Sequence, residues 1–305
     1  MPLTTSKEML QAARAGRFAV GAFNANNMEQ IQGIVDAAVE ERAPVILQVS
    51  QGAIRYAGLD FAAAMVKTAA AMADVPVVLH LDHGTDFDQN VLCLRAGFTS
   101  LMFDGSKKPY EENIATTARI VEIAHICDIP VEAELGKVLQ STPDITPQDV
   151  LDAMTKPDQA ADFVARTGCD SLAVAIGSVH AMSSKAASLD IDRLKSISEA
   201  VDIPLVLHGS SGVLEESEVE AIGYGIAKIN VATLLNIGFM DALRAAVAAD
   251  TKASDPRKFL THSREAVKEI VRHKMRLFGA SGTVTSSGFS SPKTQHRSAD
   301  LGNIE

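Results

Sequence analysis

A (β/α)8 barrel of the TIM type is the fold that the sequence predicts, on three observations. Eight short apolar, β-branched runs recur along the chain. Helix-length segments, each with one apolar stripe, separate them. A polar residue stands at or just past the end of all eight runs. Continuous apolar runs, rather than alternating ones, suit strands buried on both faces of a parallel sheet. Strands alternating with helices give βαβ units. The 305 residues accommodate such a barrel, whose typical size is about 250 residues.

The helix TTSKEMLQAARAG comes first, starting at a Thr or Ser cap and stopping at Gly16. The strands then follow as FAVGAF (18–23), PVILQV (44–49), PVVLHL (76–81), FTSLMF (98–103), IPVEAEL (129–135), SLAVAI (171–176), IPLVLH (203–208) and IAKINV (226–231). Pro44, Pro76, Pro130 and Pro204 lead into four of them, a placement that suits the start of a strand but not its middle. Between the first two strands, MEQIQGIVDAAVEE carries Ile31, Ile34, Val35, Ala38 and Val39 at helical spacing. EENIATTARIVEIAH repeats the pattern with Ile114, Ala118, Val121 and His125. The barrel and its preceding helix occupy residues 1–282 as one domain. Residues 283–305 form a polar C-terminal tail, expected to be poorly ordered or draped over a neighbouring subunit.

With 47% hydrophobic and 22% charged residues, the composition is that of a soluble globular protein. The formal charge of −10 argues against general nucleic-acid binding, which depends on basic surface. It leaves room for a small anionic substrate, because a local pocket can oppose the global sign. The N-terminus has no basic segment followed by an apolar one, and the best membrane candidate, FAAAMVKTAAAMADVPVVL, is broken by Lys67, Asp74 and Pro76. Cys93, Cys127 and Cys169 are odd in number and far apart, so they make neither a disulfide framework nor a metal knuckle. A cytoplasmic protein with mostly buried thiols and no membrane partner is expected.

Chemistry in such a barrel sits at the C-terminal ends of the strands. Those ends read Asn24, Ser50, Asp82 with His83, Asp104, Glu134, His180, His208 and Asn230. His83, His180 and His208 come from strands three, six and seven and meet only if the barrel closes. Three neutral imidazoles with an open fourth position make a catalytic zinc-type site. Three unrelated polar histidines are the competing reading. Equivalent strand ends, each beside a small residue (Gly84, Ala181, Gly209) that leaves room for a ligand, favour the metal. His80 lies within its strand and suits a hydrogen-bond partner behind the ligands. His125, His262, His273 and His296 read as helix surface or tail. Glu132 and Glu134 share one strand face, where a buried carboxylate is costly unless paired or metal-bound. The turns HGSSGV (208–213) and KINVAT (228–233) follow strands seven and eight, where barrels often hold phosphate. Arg257, in DPRKFL, is either a contact for a second phosphate or a surface residue at a helix start.

LHLDHG, MFDGS, VEAELG, DSLAVAIGSVH, PLVLHGSSG, KINV and DPRKFL, in this order and spacing, resemble the class II, metal-dependent ketose-bisphosphate aldolases. That family includes fructose- and tagatose-bisphosphate aldolases, and the resemblance runs from the N-terminal helix to about Gly282. It implies that His83, His180 and His208 bind a catalytic Zn2+. Asp104 and Glu134 would serve an alternative or second metal position, and a second metal or a monovalent cation would accompany the zinc. Asp82 would be the acid–base at the C4 hydroxyl of the substrate. Gly209, Ser210, Ser211, the backbone of Ala181, and Asn230, Val231, Ala232 and Thr233 would hold dihydroxyacetone phosphate, with Asn24 and Ser50 as outer substrate contacts. The implied reaction is reversible retro-aldol cleavage of a phosphorylated ketose in a homodimer or homotetramer. Breaking the C3–C4 bond leaves negative charge on an enediolate, which a Lewis-acid metal stabilises, so no Schiff-base lysine is needed.

This sequence departs from the family in its substrate surroundings. The family usually has a Gly-rich loop with a glutamate after the VEAELG strand; here the stretch is GKVLQSTPDITPQD, with no Gly pair and no Glu, and Asp144 as a candidate substitute. Ala232 stands where the family has Asp or Asn, and LLNIGF lacks the usual charged residue. Ala181 stands where a Gly is usual. Another phosphorylated keto sugar or sugar acid is therefore the runner-up substrate. Two further classes compete. A zinc hydrolase on this fold commonly has an HxH pair on the first strand, where GAFNANN has no histidine. A non-catalytic, metal-containing sugar-phosphate-binding barrel has only the missing loop glutamate in its favour.

Overall fold

The computed structural model describes residues 3–140, 142, 144–180, 188–285 and 288–289, apart from the side chains of Gln140 and His180. Ala181, the His180 imidazole and most of the tail therefore lie outside the described residues. Eight strands build the barrel: β1 (Val20–Asn24), β2 (Val45–Ser50), β3 (Val77–Asp82), β4 (Leu101–Phe103), β5 (Val131–Leu135), β6 (Ser171–Val174), β7 (Leu205–Leu207) and β8 (Ile226–Val231). Their spatial order is β3-β2-β1-β8-β7-β6-β5-β4, every pair parallel. The two ends of this series meet through the bridges His80–Ser100 and Gly84–Phe103. The Leu81 amide also donates to the Ser100 carbonyl at 3.1 Å, and the Asp104 amide to the Gly84 carbonyl at 2.8 Å.

The strands are mostly apolar because both faces are covered. β1, β3 and β8 are buried at every position. The helix Met28–Glu41 shows how the outer layer is specified. Asn27 caps it by accepting from the Gln30 amide at 2.9 Å, which satisfies one of the donors that a helix start leaves open. Ile31, Ile34, Val35 and Ala38 form its buried stripe. Gly33 lets it approach the helix Pro256–Leu277 closely, since a Cβ there would stand 2.7 Å from the Arg264 carbonyl oxygen.

The structure corrects local expectations. The helix at the N-terminus runs Ser6–Gly16, and its left-handed cap is Arg17 (φ 53), not a glycine. β4 is shorter than FTSLMF because Thr99 and Ser100 turn their amides to the Leu79 carbonyl. Beyond the barrel, Val284 and Thr285 pair with Phe289 and Gly288 in a small antiparallel ladder.

The barrel interior is not wholly apolar. Gln48, His80, Ser100, Glu132 and Lys228 are all buried inside it. Ser6 and Ser100 hydroxyls meet at 2.8 Å, and Ser100 Oγ lies 2.8 Å from His80 Nδ1. Burial and the nearby Lys228 ammonium push the His80 imidazole well below its usual pKa. This layer forms the floor beneath the strand ends.

Candidate active site

A cavity of about 380 Å³ opens at the C-terminal ends of the strands. Asn24, Asp82, His83, Asp104, Glu134, Gly209, Ser210, Ser211, Asn230, Ala232 and Thr233 all line it. These come from the ends of β1, β3, β4, β5, β7 and β8, so barrel closure gathers residues that the chain keeps far apart.

His83 is placed by its backbone. It sits just past β3 at φ 49, a left-handed conformation that is rare for a side-chain-bearing residue and costs of order 1–3 kcal/mol. Two contacts hold it there: its amide donates to Met102 Sδ at 3.3 Å, and its carbonyl accepts from Gln51 Nε2 at 2.6 Å. Gly84 follows because a Cβ would stand 2.6 Å from the Met102 carbonyl oxygen. Gly209 takes φ 68 and would bring a Cβ to 3.0 Å from Val138. Gly84 and Gly209 thus serve close backbone packing, and Gly209 also lines the cavity.

His83 Nε2 and His208 Nδ1 face each other at 3.0 Å, with their rings perpendicular. On its other side, His83 Nδ1 lies 2.9 Å from Asp104 Oδ2 and 3.7 Å from Glu134 Oε2. Asp104 is steadied by Ser106, whose hydroxyl and amide donate to Oδ1 at 2.6 and 3.1 Å. Asp82 accepts from Asn24 Nδ2 at 2.7 Å through Oδ2, and its Oδ1 faces Asn230 Nδ2 at 3.4 Å. Asn24 is itself held by Gln48 Nε2 at 2.5 Å.

The electrostatics call for a cation. Burial opposes charge on His83, yet Asp82, Asp104 and Glu134 outweigh it and lift the imidazole to about 10. Burial, followed by the Asp104 charge, raises Glu134 to about 8. Burial also opposes charge on Asp104, but its hydrogen bond to His83 prevails and holds it well below the usual carboxylate range. Glu134 Oε2 is buried with no hydrogen-bond partner among the described residues. Ligand atoms of Asp82, His83 and His208, and of His83, Asp104 and Glu134, each lie within 4.8 Å of one another. Converging imidazole nitrogens, an unsatisfied carboxylate oxygen and a strong pull for positive charge fit a divalent metal.

The anion end is built from two turns. Gly209 leads into the short turn Ser210–Gly212. Ala232 and Thr233 open the helix Thr233–Ala249, whose first amides point away from the helix and suit a phosphate. The Ser210 hydroxyl is already committed to the Asn230 carbonyl at 2.6 Å, which leaves Ser211 and the backbone for a ligand.

Other expected contacts lie elsewhere. Ser50 accepts from the Ala53 amide as a helix cap and does not line the cavity. Val231 is buried in the core. Asp144 is exposed at a turn. Arg257 is exposed and paired with Asp255 at 2.7 Å. His80 bonds Ser100 within the barrel, and its Nε2 lies 3.7 Å from Glu132 Oε2, while His125 and His273 make surface pairs with Asp170 and Glu215. Sequence reasoning missed Gln48, Lys107, Lys137 and Lys228. Period-two spacing from Asn230 and Asn24 could have placed Lys228 and its neighbours inside the barrel; the rim lysines carried no such signal.

The comparisons agree with this geometry. Residues 4–283 match the family described as fructose-bisphosphate aldolase class-II. The chain is 45% identical over 286 residues to the "Probable fructose-bisphosphate aldolase" of Bacillus subtilis (strain 168), covering 92% of this chain and 99% of that one. It is 44% identical, with the same coverage, to the fructose-bisphosphate aldolase of Geobacillus stearothermophilus. Among solved structures, the YdjI aldolase from Escherichia coli K12 is similar with a TM-score of 0.80 and 37% identity, over 93% of this chain and 100% of that one. The chain therefore belongs to the class-II fructose-bisphosphate aldolase family and is a class II aldolase, a carbon–carbon lyase.

Proposed function

We propose that this enzyme catalyses the zinc-dependent, reversible cleavage of a ketose bisphosphate, fructose or tagatose 1,6-bisphosphate, to dihydroxyacetone phosphate and an aldehyde. The carrying observation is one cavity that joins the His83 imidazole, backed by His208, and the carboxylates of Asp82, Asp104 and Glu134 to two amide-bearing turns. His83 and His208, with His180 from the loop after β6, would hold the Zn2+, and Asp104 and Glu134 would hold it in an alternative position or hold a second cation. When bound, the ion supplies Lewis-acid stabilisation of the charge left on the dihydroxyacetone phosphate half.

Asp82 takes the proton of the C4 hydroxyl in cleavage and returns it in synthesis. Asn24 and Asn230 keep its carboxylate aimed into the cavity. The turn at Gly209–Ser211 and the helix start at Ala232–Thr233 grip the phosphate and fix the reacting carbon. Lys107 and Lys137 line the same cavity, which favours an aldehyde half that carries its own phosphate or a carboxylate. A sugar-acid phosphate is therefore the second reading. A homo-oligomer belongs to this proposal, since the helix Thr233–Ala249 exposes Ile237, Met240 and Val247. No helix among the described residues is long and apolar enough to cross a membrane.

The test is hydrogen–deuterium exchange at the hydroxymethyl carbon of dihydroxyacetone phosphate, with and without a chelator. Exchange that stops on metal removal and returns with zinc supports the reading. No exchange by zinc-loaded protein overturns it.

A further inference from the structure

We propose that Lys228 is a positioning residue that aligns His208 and Asp82 together from beneath the site, through Glu132 on one side and Asn230 on the other. The inference rests on the metal-centre reading above and goes beyond it.

Lys228 is 1% exposed, inside the barrel and outside the cavity lining. A buried ammonium is costly unless it is paired and hydrogen-bonded. Its Nζ lies 2.8 Å from Glu132 Oε2 and 2.8 Å from Asn230 Oδ1. It therefore touches neither substrate nor cation, and both of its contacts lead to residues that do.

The first path sets a proton. Glu132 Oε1 lies 2.8 Å from His208 Nε2. A carboxylate held by an ammonium accepts there, so the neutral ring carries its proton on Nε2. His208 then presents its Nδ1 lone pair toward His83 Nε2, 3.0 Å away, where a cation would sit. The second path sets a donor. With Asn230 Oδ1 taken by the ammonium, Nδ2 is the atom left to face Asp82 Oδ1 at 3.4 Å. Were the amide reversed, its oxygen would face the Asp82 carboxylate and repel it. One buried ammonium thus fixes the proton position on an imidazole ligand and the donor direction at the acid–base.

The experiment uses full-length wild type and Lys228→Met. Zinc affinity is read by competition with a chelator of known affinity, and the Co2+-substituted proteins are compared by visible absorption. Folded K228M is expected to bind zinc about 10–100-fold more weakly, with an altered cobalt spectrum. Its kcat should fall while KM stays within about threefold, because Lys228 does not line the cavity. Lys228→Arg, which keeps the charge, should recover part of the zinc affinity. A purely structural lysine would lower only the melting temperature. Unchanged zinc affinity and an unchanged cobalt spectrum in K228M overturn the proposal. If K228M does not fold, imidazole 15N shifts of zinc-loaded wild type decide instead. A proton on Nε2 of His208 supports the proposal, and a proton on Nδ1 overturns it. Wild type that binds no zinc would remove the metal-centre reading itself, a result distinct from a variant that matches a zinc-binding wild type.

Discussion

Asp82→Ala separates proton handling from cation holding. Asp82 is 5% exposed at the end of β3. Its two oxygens face the neutral amides of Asn24 and Asn230 at 2.7 and 3.4 Å, while His83 Nε2 is 3.9 Å away. Asp104, by contrast, lies 2.9 Å from His83. Removing Asp82 should therefore leave the cation held and take away the group that moves the C4 proton. A positioned general base contributes about 10²–10⁴-fold, which corresponds to roughly 2.7–5.4 kcal/mol at about 1.36 kcal/mol per tenfold. The expected result is a kcat lower by that factor with zinc content unchanged. The assay couples dihydroxyacetone phosphate release to a reductase and measures bound zinc on the same samples. Asp82→Asn keeps the shape and should lose as much turnover, which distinguishes chemistry from packing. Cleavage by D82A within about threefold of wild type would refute the acid–base role. Loss of zinc together with turnover would move Asp82 into the ligand set.

Zinc uptake by metal-free protein should release protons. The carboxylates around His83 overcome its burial and raise it to about 10, so the ring is protonated at neutral pH and must lose that proton to bind metal. Affinity should then rise with pH, by about tenfold per unit for each proton displaced; calorimetry in buffers of different ionisation enthalpy would show no buffer dependence if this were wrong. Gly33→Ala should destabilise the fold by about 1–3 kcal/mol in urea titration, because the new Cβ meets the Arg264 carbonyl oxygen at 2.7 Å; an unchanged midpoint would mean that the two helices yield freely. Native protein should expose one thiol to a disulfide reagent, Cys127, since Cys93 and Cys169 are buried and burial pushes them up to about 11 and 12. Fast reaction of a second thiol would contradict that packing.

Much of the site was legible before the fold was known. His83, Asp104, Glu134 and His208 announce themselves because a polar residue at the end of an apolar run is unusual in the chain itself. Lys228 is signalled only by its period-two spacing from Asn230, a weaker cue than a polar residue at a strand end. Ser50 shows what strand-end position alone leaves open. Its place at a strand end suggests a ligand contact, but the helix Gln51–Ala57 begins there and claims the hydroxyl as a cap. Arg257 looked available for a phosphate until Asp255, two residues before it, took its guanidinium.

By itself, the sequence determined the eight strands, the helices between them and most of the polar residues at the strand ends. Those are properties of local period and polarity, which the chain carries at every position. Only the tertiary structure decided which nitrogen of His208 faces His83, what holds Asp82, and why Gly84 has no side chain. Each of those depends on atoms from strands distant in sequence. Their distances exist only once β3 and β4 meet and close the barrel.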